Sequence, residues 1–320
     1  MSNTYQWFPT ECAPLGYPMS IVKGNFIFAD RRSVYIADDR LIYNGWGAQG
    51  SLHVVGDKLK PLPTQLELSW FSYTEDQFYG GKFDLPLDKL SEMFRSGTAS
   101  PDGSERWAYD RIIVGMAPGG DISVWVGARR IVKELVTFRA KAVNLPWTVV
   151  LDHPTITRTQ HIADQLNEAM SPEMLKRVKS KPVPLGRWAQ FSKRVAWSPR
   201  IGASANGRDL WIMGLNGEVE WMDLSGYRKD VDPPLATRAS PKGFSLYWRT
   251  GAGVTLNAEI VLDEDEVLAA FTKLSALATN EPMTVLLEPA STSSTVDVFL
   301  QRGKIIYRFE KSKTNIFRAK

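Results

Sequence analysis

Alternation of apolar and polar positions dominates this chain and predicts strands over most of its length. Met19 to Phe28 and Ser33 to Ala37 are rich in β-formers and bounded by Gly24 and Asp30-Arg31. Asn44-Gly45-Trp46-Gly47 and Gly50 are turn material. After Lys60-Pro61-Leu62-Pro63, the run Leu66-Glu67-Leu68-Ser69-Trp70 alternates with period two. Gly80-Gly81 marks the start of the next short strand. Beyond Pro86 the period changes: Leu90, Met93 and Phe94 share one helical face, with Asp88 as N-cap and Gly97 as the stop. Arg111 to Met116 and Ile122 to Val126 flank Ala117-Pro118-Gly119-Gly120-Asp121, which reads as a hairpin, and Arg129 to Val143 reads as one more strand with a polar face.

Thr155 to Lys181 differs in period. Ile162, Leu166 and Met170 repeat at i, i+4 and i+8, and Ser171-Pro172-Glu173 restarts a helix with Ser at N-cap and Pro at N1. Lys181-Pro182-Val183-Pro184 ends it. Further on, Ala205-Asn206-Gly207, Asn216-Gly217 and Asp232-Pro233-Pro234 are turn signals. Asn216-Gly217, between Trp211-Ile212-Met213 and Val219-Glu220-Trp221, is the strongest hairpin signal in the chain.

The order of elements in the first half returns in the second. Leu66 to Trp70 corresponds to Phe244-Ser245-Leu246-Tyr247-Trp248, and the helix start Leu85-Pro86-Leu87-Asp88 to Leu262-Asp263-Glu264-Asp265. The helices end in Phe94 and Phe271. Ile112 to Val114 and Val124 to Val126 then correspond to Val285 to Leu287 and Val298 to Leu300, and Ile131 to Phe138 to Ile305 to Phe309. The expectation is an α+β protein of two tandem, mostly antiparallel β-sheet domains, each with one packed helix, joined by a helical connector. Residues 1–152 form the first, 153–184 the connector, and 185–320 the second as a diverged copy. A length of 320 residues suits two domains, each long enough to bury a core.

A formal net charge of +4 is too mild to indicate a nucleic-acid partner. The densest basic stretch, Lys176-Arg177 to Lys179 and Lys181, reads as a solvated helix end. Trp70, Trp125 and Trp248, among eleven tryptophans, read as core. The lone Cys12 makes neither a disulfide within the chain nor a thiolate metal site. No run of eighteen apolar residues predicts a membrane span. Met1 to Trp7 has no secretory-leader pattern. As written the chain is expected in the cytoplasm; a leader removed beforehand would place it in the periplasm.

Chemistry-bearing patterns are sparse. His53, His153 and His161 have no metal-ligand spacing, and neither a nucleophile elbow nor a Walker loop occurs. Gly251-Ala252-Gly253 reads as a hairpin turn. Pro118-Gly119-Gly120 offers backbone N–H groups that an anion could use, although a tight turn explains it as well. Asp263 to Glu266 lacks the Gly and ligand spacing of an EF-hand loop and suits a first helical turn. No catalytic set, metal site or cofactor is expected; an enzyme would need titratable groups converging in a cleft.

Two blocks carry a resemblance. Trp70, Ser72, Glu75 and Tyr79 fit W-x-S-x-x-E-x-x-x-Y, and Gly115 to Trp125 fit G-x-A-P-G-G-x-V-x-x-W with Ile122 at the Val position. Together they resemble the bacterial domain-of-unknown-function family 2931 over about residues 17 to 143. The second half departs from the pattern: Pro289 stands where Pro118 does, but Ala290 to Ser294 has no Gly-Gly, and Thr250 to Gly253 replaces the Glu75 region. Family members are often putative lipoproteins encoded near type VI secretion effectors. The two-domain organisation is also similar to that of immunity proteins that clamp phospholipase effectors. The resemblance therefore implies an immunity role, with a cognate effector bound one to one. A missing lipobox departs from the lipoprotein members, since no apolar run precedes Cys12. Tyr73, Glu75, Asp76, Phe78 and Tyr79 are the candidate partner-binding residues, expected to be exposed aromatic anchors and loop acids. The alternative is an envelope-associated module for a small ligand or surface component, which predicts a concave pocket within one sheet.

Overall fold

A computed structural model describes residues 4–38, 40–51, 56–101, 103–151, 155–202, 206–224, 235–290 and 294–319. Two compact units divide the chain: Met1–Ala99 with Arg106–Gln190, and Ser100–Glu105 with Phe191–Lys320.

The first unit contains β1 (Phe8–Cys12), β2 (Met19–Ile27), β3 (Ser33–Tyr35), β4 (Gln65–Ser72) and β5 (Gln77–Asp84), then α1 (Leu87–Ser96). There follow β6 (Arg111–Ala117), β7 (Asp121–Ala128), β8 (Ile131–Arg139) and β9 (Lys141–Val143), then α2 (Arg158–Ala169) and α3 (Pro172–Lys179). One sheet runs β9-β5-β4-β2-β3, all antiparallel. A second set runs β1-β6-β7-β8, with β1 parallel to β6. Alternation puts Leu66, Leu68 and Trp70 of β4 and Ile122, Val124 and Val126 of β7 into one core, closed by Leu90 and Phe94 of α1.

The second unit contains β10 (Arg194–Ile201), β11 (Asn206–Gly214), β12 (Val219–Asp223), β13 (Ala236–Ala239), β14 (Pro241–Arg249) and β15 (Thr255–Val261). Then come α4 (Glu264–Ser275), β16 (Met283–Pro289), β17 (Val296–Arg302), β18 (Ile305–Arg308) and β19 (Lys313–Arg318). Strands β19-β15-β14-β11-β12 lie side by side, as do β13-β10-β16-β17-β18, with β10 parallel to β16. Apart from β13, strand order, the position of the helix and the single parallel pair follow the same succession as in the first unit. Trp197 packs edge-on against Phe244 and Phe271 of this core.

Several local expectations hold. The Asn216-Gly217 and Gly251-to-Gly253 hairpins form. Ser171 caps α3, and Trp70, Trp125 and Trp248 are buried. Others are corrected. Strand β5 starts at Gln77, so Gly80-Gly81 lie within it. The N-cap of α1 is Pro86, with Asp88 inside the first turn, where its charge suits the helix dipole. Arg129 to Val143 is not one strand: Arg129 turns with a φ of +51°, and the chain leaves β8 at Ala140 to enter the other sheet as β9. Asn206-Gly207 is strand rather than turn. Asp232-Pro233-Pro234, His53, His153 and the proposed boundary at 152/153 fall outside the described residues.

The helices expected as a connector pack on the first unit. Leu166 and Met170 of α2 form a second apolar cluster with Phe71, Tyr73 and Phe78, on the face of β4 and β5 opposite the core. Apolar side chains therefore occupy both faces of this hairpin, which a one-sided sheet would not carry. Among the described residues, no helix is long and apolar enough to cross a membrane.

Candidate functional site

Strand β4 ends at Ser72 and the chain reverses through Tyr73 to Asp76, where Asp76 adopts a φ of +51°. This turn aims the Glu75 carboxylate inward. Glu75 Oε2 accepts the Ser72 hydroxyl at 2.7 Å. Oε1 accepts the Tyr79 hydroxyl at 2.8 Å and the Gly119 backbone N–H at 3.0 Å. Tyr79 stands opposite Trp70 in the β4–β5 register and stacks on its ring, with centroids 5.5 Å apart. Burial and the neighbouring Glu75 carboxylate push the Tyr79 phenol upward, keeping it a neutral donor.

The other partner is the Pro118-to-Gly120 turn. Gly119 and Gly120 both have left-handed backbones, with φ of +76° and +81°. A Cβ at Gly120 would lie 2.6 Å from the Ala140 carbonyl oxygen and 3.0 Å from the Tyr79 ring. The anion received by this turn is thus one the protein itself supplies. Trp70, Ser72, Glu75 and Tyr79 interlock with Gly119 and Gly120 into a pin between two turns from different sheets. In the second unit the Thr250-to-Gly253 turn closes locally instead: Thr250 accepts the N–H of Gly253 on its carbonyl and that of Val254 on its hydroxyl.

The five candidate partner-binding residues are placed as follows. Tyr73 and Phe78 are buried beneath α2, and Tyr79 is buried beside Trp70. The expectation of exposed aromatic anchors is therefore corrected, because α2 covers the outer face of the hairpin. The Tyr73 hydroxyl meets Ser20 Oγ at 3.0 Å and His161 Nε2 at 3.5 Å. Glu75 is held in the pin. Asp76 is exposed and receives Arg158 Nε at 2.7 Å, and the Arg158 guanidinium lies 4.9 Å over the Trp147 ring. Together, Asp76 and Arg158 dock the first turn of α2.

Asp121 and Arg139 were not singled out from sequence. They face each other across β7 and β8, and Ser123 faces Thr137 one pleat along. The polar face expected between Arg129 and Val143 was the available signal. With Ala189 these residues line a cleft of about 230 Å³ on the side of the strands away from the core. Asp121 Oδ2 accepts the Ala189 N–H at 3.2 Å. Burial pushes the Asp121 carboxyl above its ordinary range, against the lowering effect of that N–H and of Arg139. Farther along the same face, Trp46 meets Trp125 edge-on at 5.0 Å and tilts over Trp188 at 6.4 Å. Cys12 is buried, with its thiol pushed up to about 12, mainly by burial, and so is unreactive. Among the described residues, no group of three or more His, Cys, Asp or Glu is placed to hold a metal ion.

Comparison with characterised proteins and with solved structures returns no match. A family profile does match, over residues 1–186, more than half of the chain. That span holds both halves of the pin and also α2 and α3, so the helices packed on the hairpin lie within the family's domain. The chain belongs to the family described as protein of unknown function, DUF2931.

Proposed function

We propose that this protein is a non-catalytic binding protein that neutralises a cognate type VI secretion effector of the lipase or phospholipase class, one to one. One observation carries the non-catalytic half of this reading. Glu75, the acid within the family's motif, spends its carboxylate on Ser72, Tyr79 and Gly119. A general acid or base must meet a substrate proton, whereas this carboxylate stiffens two turns. Rigid turns on a β-scaffold suit recognition, because little ordering entropy is lost on binding. The effector class rests on the resemblance to immunity proteins.

Residues 185–320 are proposed to be a diverged second copy of the same domain. The repeated strand order and the repeated parallel pair support this. Divergence of the second copy, which closes the equivalent turn on Thr250, would let the two domains contact different parts of one effector.

The test is co-purification with the product of the neighbouring effector gene, followed by size-exclusion chromatography and a toxicity assay. A one-to-one complex that abolishes toxicity is expected. Absence of a complex with an active, folded effector removes the immunity reading. The alternative, a module for a small ligand, is supported by the cleft that β7 and β8 line together with Ala189.

A further inference from the structure

The cleft between β7 and β8 carries two opposite charges with unused hydrogen-bonding capacity. Only 4% of the Asp121 side chain is exposed, and its Oδ1 accepts no hydrogen bond from the described residues. The nearest cation is Arg139, whose Nη1 lies 3.6 Å from Oδ1, an ion pair beyond hydrogen-bonding distance. Arg139 is 59% exposed and donates no hydrogen bond to the described residues. The cross-strand register holds the two groups opposite each other, and Ser123 and Thr137 sit one pleat along the same face. Gly119 leaves room for the guanidinium, since a Cβ there would lie 3.3 Å from Arg139 Nη2.

A buried acceptor without a donor is costly. A simple cation reaching Oδ1 would meet the Arg139 charge, and a simple anion reaching Arg139 would meet the Asp121 carboxylate. A ligand that carries both charges one carbon apart satisfies both groups, lying head to tail along the pair. We propose that this cleft binds the zwitterionic head of a free α-amino acid, with the ammonium on Asp121 Oδ1 and the carboxylate on the Arg139 guanidinium. A cleft of about 230 Å³ has room for a small amino acid. The site goes beyond the proposed effector binding and does not depend on it.

The test titrates the full chain with L-alanine, and in parallel with ethylamine and propionate, which each carry half of the head. Binding is read by calorimetry and by the amide resonances of 121–123 and 137–139. L-alanine should bind and shift these resonances. Each half-ligand should bind at least roughly tenfold more weakly, the loss expected for one charge-assisted contact. Arg139→Gln should weaken L-alanine binding by a similar factor without changing the thermal midpoint, because the side chain is largely in solvent. Asp121→Asn should weaken L-alanine binding by a similar factor, and Arg139→Gln remains informative if Asp121→Asn fails to fold. The proposal is overturned if L-alanine leaves these resonances unmoved at millimolar concentration. It is equally overturned if ethylamine or propionate binds as well as L-alanine.

Discussion

The Gly119 N–H donates to Glu75 Oε1 at 3.0 Å, joining residues 44 positions apart and on turns of different sheets. Three donors converge on this half-buried carboxylate: Gly119, Ser72 and Tyr79. Glu75→Ala leaves all three without their acceptor and should lower unfolding stability by about 1–3 kcal/mol. Glu75→Gln keeps one oxygen acceptor and should cost less. Urea denaturation monitored by far-UV circular dichroism gives the order. A Glu75→Ala midpoint equal to wild type would mean that the pin does not stabilise the fold.

The glycines of the pin have different requirements from other left-handed glycines. Gly120→Ala meets both a strained φ and the Ala140 carbonyl 2.6 Å away. Gly103, with a φ of +68°, has nothing within 4 Å of an added Cβ. Gly103→Ala should therefore cost only the left-handed strain, about 1–2 kcal/mol, and Gly120→Ala clearly more. Similar midpoints for the two variants would contradict the close approach. Gly115 is a purely steric case: its Cβ would come within 2.6 Å of the Trp125 ring and 2.8 Å of Trp46. Gly115→Ala should cost about 1–3 kcal/mol through overpacking and change the tryptophan fluorescence of the native state.

Much of the fold was legible because period-two alternation and turn chemistry are local. The Asn216-Gly217 hairpin and the succession of strands in each half follow from neighbouring residues alone. The pin was half legible. Glu75, Tyr79 and Gly119 stood out as motif residues, but nothing local says that one turn supplies the anion for the other. The aromatic anchors were misplaced for a related reason. Phe71, Tyr73 and Phe78 look like an exposed strand end until α2, some eighty residues later, is laid over them. The same distance hid the role of α2, whose i, i+4, i+8 stripe marks a buried face without naming what buries it. Asp121 and Arg139 escaped notice because their pairing depends on register, which a bulge between Val124 and Trp125 resets.

Because α2 packs on the first unit, its apolar stripe stabilises that unit. Leu166 is buried against the Phe71, Tyr73 and Phe78 cluster. Leu166→Ala should cost about 2–3 kcal/mol, the lower part of the range for truncating a buried leucine. Arg158→Ala removes the Asp76 contact and the cover over Trp147, and should cost less, since that ion pair is partly in solvent. Amide exchange in α2 should slow together with exchange in β4 and β5. A helix that exchanges freely while the strands stay protected would make it a linker after all.

Among the carboxyls through which acid and base act on this fold are two that are buried, Asp121 and Glu11. Burial raises Asp121 and also Glu11, whose hydrogen bonds from Ser51 only partly offset the effect. A carboxyl raised in the folded state holds its proton there more tightly than in the unfolded chain. Its contribution to stability is fully present below the unfolded value and is lost as pH rises through the folded one. These two groups should therefore make stability fall as pH rises from the ordinary carboxylate range to just above it. Asp121→Asn removes one ionisation while retaining an oxygen that can accept the Ala189 N–H. Relative to wild type, the variant should gain stability as pH rises across that window and stay level above it. Thermal midpoints of both proteins across the acid range check this. A constant difference between them would mean that the environment of Asp121 does not favour its protonated form.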